Sequence, residues 1–331
     1  MPVIISDDIG SFPLPGGVKR EGLEGEEFEE VVRGIMQRKI SAGIQRPNYP
    51  QVKDMISQFF SSIEESQDDG EAWLIKKEEA KIPEIEIIDE VAREYYEKNS
   101  RPLELRVCVT GPLELYLGKV GSQVQGDLLM NLAESVSRFV ENSLVDKEYM
   151  KTKTVSIDEP SLGLNPNIVA EQEDLIKALD LAVSPARRLD IQVHLHAPNS
   201  ADLIYETENI GIIGIETAEE PKFLDDIDKD DLEQHDKFLR VGIARSNIFG
   251  IAADYKERKG IDVWKDKDFD LMVEEMENVN IMKKRLGNSL KIFDDRIKYA
   301  GPDCGLSAWP SQDSAELLLR NAAGVVEEFN K

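Results

Sequence analysis

Short apolar runs rich in β-branched residues alternate along the chain with longer stretches of helical periodicity. In residues 190–195, for example, apolar and polar positions alternate, and a helix-like segment follows at 200–207. Strands that alternate with helices in this way are typical of a parallel sheet with crossover helices. Eight such units predict an α/β fold of the (β/α)8 TIM-barrel type. The predicted strands are residues 3–6, 41–45, 103–109, 152–157, 190–195, 210–215, 238–243 and 296–300.

A length of 331 residues is compatible with one barrel domain over 1–331, because α/β barrels reach this size as single units. Between the seventh and eighth predicted strands, residues 250–288 form a highly charged segment with helical periodicity. This segment is predicted to be a helical insertion that either caps the barrel or decorates its surface.

The chain is acidic, with a formal charge of −25. Nucleic-acid binding needs clustered lysines and arginines, so this charge argues against a general nucleic-acid binder. No apolar run approaches the ~18 residues that a membrane span requires. The N-terminus has no basic region before an apolar core, so no signal peptide is expected and the predicted location is the cytoplasm.

Cysteine and histidine are rare, and their positions are informative. Two cysteines cannot build a disulfide framework: Cys108 lies within a predicted strand and is interpreted as structural, whereas Cys304 follows the last strand. Two of the three histidines, His194 and His196, are two positions apart on a predicted strand, so their imidazoles share a face. They are either hydrogen-bonded core histidines or half of a zinc site.

In a barrel of this type the chemistry lies at the carboxyl ends of the strands. Polar or glycine-bearing segments follow the predicted strands at these points. They include Ile9-Gly10-Ser11-Phe12-Pro13, Thr110-Gly111-Pro112, Ile157-Asp158-Glu159-Pro160, the two histidines, Ile215-Glu216-Thr217 and Pro302-Asp303-Cys304-Gly305.

These motifs, in this order, resemble the catalytic barrel of cobalamin-independent methionine synthase, and the resemblance runs through nearly the whole chain. It implies a zinc-dependent transfer of a methyl group to a thiol, usually homocysteine, which gives methionine. The implied Zn²⁺ ligands and catalytic residues are His194, His196, Glu216 and Cys304. His196 stands where the family usually has a cysteine, which makes the formal charge of a zinc site zero, one unit more positive than with two thiolates.

The resemblance also implies a methyl donor. The family has a tryptophan shortly after Thr-Gly-Pro, where this chain has residues 115–118 without one, and a histidine in the loop that here reads Ala244-Arg245-Ser246-Asn247. The full-length family adds an N-terminal barrel for folate, and this chain is expected to begin directly at the catalytic barrel. The pattern matches short, single-barrel relatives that use a methyl-corrinoid protein, so such a protein is the predicted donor and partner.

Residues for the acceptor thiol are implied in the same way. Ser11 and Asp158 match positions that contact the carboxylate and ammonium of homocysteine, although a turn serine and a helix-capping aspartate are alternative interpretations. After the second predicted strand, an amine-binding glutamate of the family is missing. Gln45 and Asn48 are the substrate-binding candidates there, and Arg245 is a further one.

Three alternatives stay open on the sequence alone. The first is a transferase that acts on another thiol such as coenzyme M, for whose sulfonate Arg46 and Arg245 are available. The second is a zinc hydrolase, for which no leaving-group acid is evident. The third is a non-catalytic zinc-binding barrel with a closed four-ligand site.

Overall fold

A parallel, curled sheet with helices outside it forms the core of the molecule. The computed structural model describes residues 3–68 and 70–331. Within them, seven strands lie in the order β1-β7-β6-β5-β4-β3-β2, and every neighbouring pair is parallel. The predicted α/β barrel class is confirmed. The strands are β1 Ile5–Ser6, β2 Leu103–Thr110, β3 Met150–Asp158, β4 Asp190–His194, β5 Ile212–Ile215, β6 Phe238–Ala244 and β7 Ile297–Pro302.

The gap between β1 and β2 is bridged by residues 46–51, and here the prediction of a strand at 41–45 is wrong. Single bridges join Arg46 to Asp7 on one side and Asn48 to Arg106 on the other. The preceding helix continues through Ser41, because its apolar positions keep helical spacing to that point. Pro47 and Pro50 lack the N–H groups that a regular ladder needs, so the bridging segment pairs only at isolated residues.

Fourteen α-helices cover the sheet in the described part of the chain. The last of them shows why they form: Ala315, Leu318, Leu319 and Ala322 are buried at helical spacing, and Ser311 caps its N-terminus by accepting from two backbone N–H groups. The helices are α1 Gly25–Ser41, α2 Met55–Glu65, α3 Pro83–Ile87, α4 Asp89–Asn99, α5 Pro112–Lys119, α6 Gly126–Asn142, α7 Gln172–Val183, α8 Ala201–Tyr205, α9 Lys229–Gln234, α10 Ile248–Lys259, α11 Val263–Asp266, α12 Phe269–Met276, α13 Val279–Phe293 and α14 Gln312–Phe329.

The segment predicted as a charged insertion at 250–288 is helical and corresponds to most of α10, α11, α12 and the first part of α13. Helix α12 packs against α10 and α14, and α13 packs against β6, β7 and α14. None of the helices described here, in the insertion or elsewhere, is long and apolar enough to cross a membrane. Met1 and Pro2, with which the expected leaderless N-terminus begins, lie outside the described residues.

Charged side chains fill the middle of the barrel, where branched aliphatic residues are usual. Asp7, Arg106 and Arg240 are each 0% exposed. Arg240 Nε donates to Asp7 Oδ1 over 2.9 Å, and Gln192 joins Asp7 to Arg106 through its amide. Mutual pairing offsets the cost of burying these charges. The interior is therefore a fixed polar floor beneath the carboxyl ends of the strands.

Glu84 on α3 gives a stability prediction, because it is fully buried and its contacts do not include an ion pair in the described structure. Burial raises the pKa of Glu84 from its usual 4.5 to about 7. The unfolded chain therefore ionises first as the pH rises, and stability is lost between about pH 4.5 and 7. This loss amounts to roughly 3 kcal/mol at 1.36 kcal/mol per pH unit. Glu84→Gln should abolish this loss. Urea unfolding of both proteins at pH 4.5 and pH 8 would measure the change in the free energy of unfolding.

Candidate metal centre

Four potential metal ligands converge at the carboxyl ends of the strands β4, β5 and β7. His194 is the last residue of β4 and His196 lies two residues beyond it, while Glu216 directly follows β5 and Cys304 lies two residues after β7. One ligand atom from each residue lies within 4.8 Å of the others. The Nε2 atom of His196 lies 3.4 Å from Glu216 Oε1 and 3.8 Å from Cys304 Sγ.

Contacts between loops hold this cluster in place. The backbone N–H of Cys304 donates to Ser246 Oγ over 3.1 Å. The carboxylate of Asp303 accepts from the N–H groups of Ala218 and Glu219, so it fastens the loop after Glu216 to the loop that carries Cys304. A β-carbon at Gly242 would collide with this carboxylate, so the position requires glycine.

The electrostatics of the cluster favour a cation. Burial lowers the pKa of both His194 and His196, which keeps their imidazoles neutral and able to ligate a metal. Burial raises the pKa of Glu216 to about 7 and that of the Cys304 thiol above its usual range. A carboxyl group and a thiol that resist ionisation therefore share a partly dry site, in which a bound cation would stabilise both ionised forms.

The donor set fits Zn²⁺. Tetrahedral zinc with bonds of about 2.0–2.1 Å to nitrogen and 2.3 Å to sulfur holds its ligand atoms roughly 3.3–3.8 Å apart, which matches the two distances around His196. Both ring nitrogens of His194 are buried without a hydrogen-bond partner, and a bound metal would satisfy one of them. His194, His196, Glu216 and Cys304 would hold the ion.

Two of the predicted substrate residues lie beside the cluster. Asp158 ends β3 and pairs in register with His194, and its Oδ1 atom is buried with no hydrogen-bond partner. Burial raises the pKa of Asp158, while the nearby Arg106 guanidinium acts against this rise. The hydroxyl of Ser11 lies against Gly305, where a β-carbon would collide with it, so Ser11 adjoins the loop of Cys304.

The other predicted substrate residues have different surroundings. Asn48 is fully buried beside Gly10, and its Oδ1 atom has no partner. Gln45 bonds to the backbone and side chain of Ser6, so the structure does not bring it to the cluster. The Arg245 guanidinium is held by Glu277 and Asp254 of the insertion helices and their connection.

Arg46, considered for a sulfonate, lies at the opposite end of the barrel. Its guanidinium bonds to Glu104 near the start of β2, to Asp190 at the start of β4 and to the hydroxyl of Tyr299. The chemistry of a parallel barrel lies at the other end of these strands. Arg46 is therefore a structural residue at the amino-terminal end of the barrel.

The sequence interpretation missed several residues that shape the site. No local pattern indicates the roles of Ser246 and Asp303, because their partners lie in other loops. Arg106 and Arg240 carried a visible signal, since each is a lone cation inside an apolar strand. In a strand buried on both faces, such a position must point into the barrel and pair there.

These features define a parallel α/β barrel with a candidate metal centre at its carboxyl end. No protein-family model and no curated protein matches the chain. Similar solved structures do exist, and two of those described below carry the name of the family that the motifs resemble, so the predicted resemblance is confirmed as a likeness of fold.

One similar structure is a B12-independent methionine synthase from Shewanella sp. W3-18-1 in complex with selenomethionine. It has a TM-score of 0.64 and 15% identity, with 99% of this chain and 98% of that chain covered. A Listeria monocytogenes protein assigned as a vitamin-B12-independent methionine synthase has a TM-score of 0.58 and 13% identity, with 99% and 98% covered. A methyltransferase from Methanosarcina mazei has a TM-score of 0.57 and 11% identity, with 98% and 95% covered.

Proposed function

We propose that this protein is a zinc-dependent methyltransferase that moves a methyl group to the sulfur of a thiol, with homocysteine as the acceptor and methionine as the product. The observation that carries the proposal is the convergence of four ligand atoms within 4.8 Å at the carboxyl end of the barrel. The methionine-synthase motifs and the fold of the similar structures support it.

In this proposal the metal activates the thiol, the loop contacts hold the ligands, and one side of the cluster admits the substrate. When bound, Zn²⁺ lowers the pKa of a coordinated thiol, so that the sulfur is nucleophilic near neutral pH. The contacts of Ser246 and Asp303 hold the loops that carry Glu216 and Cys304. His196 and Glu216 retain partial exposure, with side chains 34% and 20% accessible, which leaves this side of the cluster open to a substrate.

Homocysteine is supported as the acceptor by Asp158. Its buried Oδ1 atom has no partner in the described structure, and a substrate ammonium would both satisfy that atom and stabilise the ionised carboxyl group. The Shewanella structure holds selenomethionine, an amino acid of the same shape as the proposed product. An amino-acid thiol therefore accounts for a buried group that a simple thiol would leave unsatisfied.

A methyl-corrinoid, free or carried by a protein, is the proposed donor. Methyltetrahydrofolate has a poor leaving group that needs a proton, whereas a cob(I)amide leaves unprotonated. The chain has three histidines, and two of them belong to the cluster. The third, His235, lies at the end of α9, just before β6 begins, and its ring stacks on that of Tyr205. None of them stands as a separate acid beside the site.

The donor assignment gives a direct assay. Zinc-loaded protein should form methionine from homocysteine and methylcobalamin, and it should form none detectable above the uncatalysed rate from methyltetrahydrofolate. Mass spectrometry of the product with a deuterated methyl group on each donor would measure this. Comparable turnover with methyltetrahydrofolate would overturn the donor assignment and leave the thiol chemistry standing.

The alternative acceptor, a sulfonate thiol such as coenzyme M, is less well supported. Of the two arginines available for it, Arg46 lies at the amino-terminal end of the barrel, and Arg245 is already paired with three carboxylates. In a non-catalytic zinc barrel no substrate would bind to the Asp158 oxygen, and this buried acceptor would stay without a hydrogen-bond partner. Assays with both thiols distinguish these possibilities.

A further inference from the structure

A cavity lies behind the loop that carries Glu216, between this loop and the helices of the insertion. Its volume is about 390 Å³, within the range of small-molecule sites. None of the four candidate zinc ligands lines it. The lining residues are Thr217, Pro221, Leu224, Arg245, Arg258, Met276, Glu277, Ile281, Lys284, Arg285, Asn288 and Ser289.

The charge of this lining is opposite to that of the molecule. Four cationic residues and one carboxylate, Glu277, line the cavity, although the whole chain carries −25. Behind this lining, Asp254 and Glu219 also pair with the guanidinium of Arg245. Distant acidic residues have little influence here, because charges beyond about 8 Å are largely screened at physiological ionic strength. Arg245 and Arg285 are paired with nearby carboxylates, so the free positive charge of the cavity comes from Arg258 and Lys284.

Glu277 organises two of the cations and is itself fully engaged. Its carboxylate accepts from Arg245 Nε over 3.0 Å and from both terminal nitrogens of Arg285. It also accepts from the backbone N–H of Arg245. The two guanidinium groups are thereby fixed side by side, and the lone pairs of Glu277 are occupied.

Donor capacity remains for a ligand. The Nη2 atom of Arg245 is buried out of contact with solvent, so the free donors of the cavity lie on two other residues. Arg258 and Lys284 line the cavity, and neither forms an ion pair within the described residues. Two unpaired cations on the lining of one cavity favour an anion.

The remaining wall is apolar, formed by Pro221, Leu224, Met276 and Ile281. We propose that this cavity binds a small organic dianion, a phosphate monoester or a dicarboxylate, whose charged end meets Arg258 and Lys284 and whose apolar body lies against Leu224, Met276 and Ile281. The site is separate from the proposed zinc site and gives the insertion a binding role.

The test is titration calorimetry of the full chain with phenyl phosphate and phthalate, which place two negative charges on an apolar ring, and with benzyl alcohol as the neutral control. We expect one anion per chain to bind with a Kd of about 1 mM or tighter, and benzyl alcohol not to bind. Tighter binding of phenyl phosphate would indicate a phosphate ligand, and tighter binding of phthalate would indicate a dicarboxylate ligand.

Neighbouring residues supply a matched control. Arg258→Gln with Lys284→Gln should weaken anion binding at least about tenfold, because two charge-assisted contacts are lost. Lys259→Gln with Lys283→Gln removes the same charge from adjacent positions that pair with Glu275 and Glu328, and should leave binding unchanged. All four side chains are at the surface or partly exposed, so both double variants should fold.

Two outcomes would overturn the anion site: neither anion binds at about 10 mM, well above the expected Kd, or the two double variants lose binding equally. Both are independent of methyl transfer, which the lining variant is expected to retain with methylcobalamin and homocysteine. Failure of the anion site and failure of the proposed function can therefore be told apart.

Discussion

Replacing Cys304 with serine is expected to remove bound zinc and thiol methylation together. A serine hydroxyl stays protonated near neutral pH and is a poor zinc ligand, so the site would lose one of its two anionic donors. Loss of residues that only support zinc ligands weakens metal affinity by about 10–100-fold, and loss of a direct ligand should cost at least as much. Elemental analysis after dialysis and single-turnover methylation would measure both effects.

The chain supplies its own control for this experiment. Cys108 is buried on β2 and does not belong to the group of four ligand atoms. Cys108→Ser should keep one zinc per chain, even if its buried hydroxyl lowers the melting temperature. A Cys304→Ser protein that kept full zinc content and activity would show that the cluster is not the metal centre.

The sequence predicted the outline of the fold well, because strand ends carry local signals. Residues 190–195 were predicted as a strand and β4 runs from Asp190 to His194; residues 238–243 were predicted and β6 runs from Phe238 to Ala244. The segment at 41–45 was misassigned because Ile40 and Ile44 suit either element, and the end of α1 is decided by packing against the rest of the molecule.

The site was predictable to the extent that it follows from the strand ends. Once the fold is a parallel barrel, His194, Glu216 and Cys304 must approach one another, although they are far apart in the chain. The contacts of Ser246 and Asp303 depend on loop conformations that no local pattern specifies. Gln45 is predicted as a substrate-binding residue because it follows a predicted strand. That strand does not form, and Gln45 bonds to Ser6 instead.

The sequence of the insertion also predicts its helices but not its contacts. Its charge and helical periodicity were visible in the sequence, and they favoured a solvated decoration as much as a cap. Only the fold brings Glu277 between Arg245 and Arg285 and leaves Arg258 and Lys284 around one cavity. Charge patterns along a chain indicate exposure, whereas their function depends on which helices meet.

Asp158→Asn is expected to separate amino-acid thiols from all other thiols. The amide keeps the shape of the carboxyl group but cannot offer a negative charge to an ammonium group. A hydrogen bond between charged groups contributes about 1.5–3 kcal/mol, so kcat/KM for homocysteine should fall by roughly 10–150-fold. The loss should appear mainly in KM, because the carboxylate holds the substrate rather than the transferred methyl group.

The control substrate is 4-mercaptobutanoate, which is homocysteine without its amine. Its kcat/KM should change less than about threefold in Asp158→Asn, because no ammonium group is bound in either protein. Zinc content should also be unchanged, since Asp158 is not one of the four ligands. Equal losses for both thiols would mean that Asp158 supports the barrel through Arg106 rather than recognising the amine. Unchanged homocysteine transfer would rule out Asp158 as the ammonium partner and remove the main structural argument for an amino-acid acceptor.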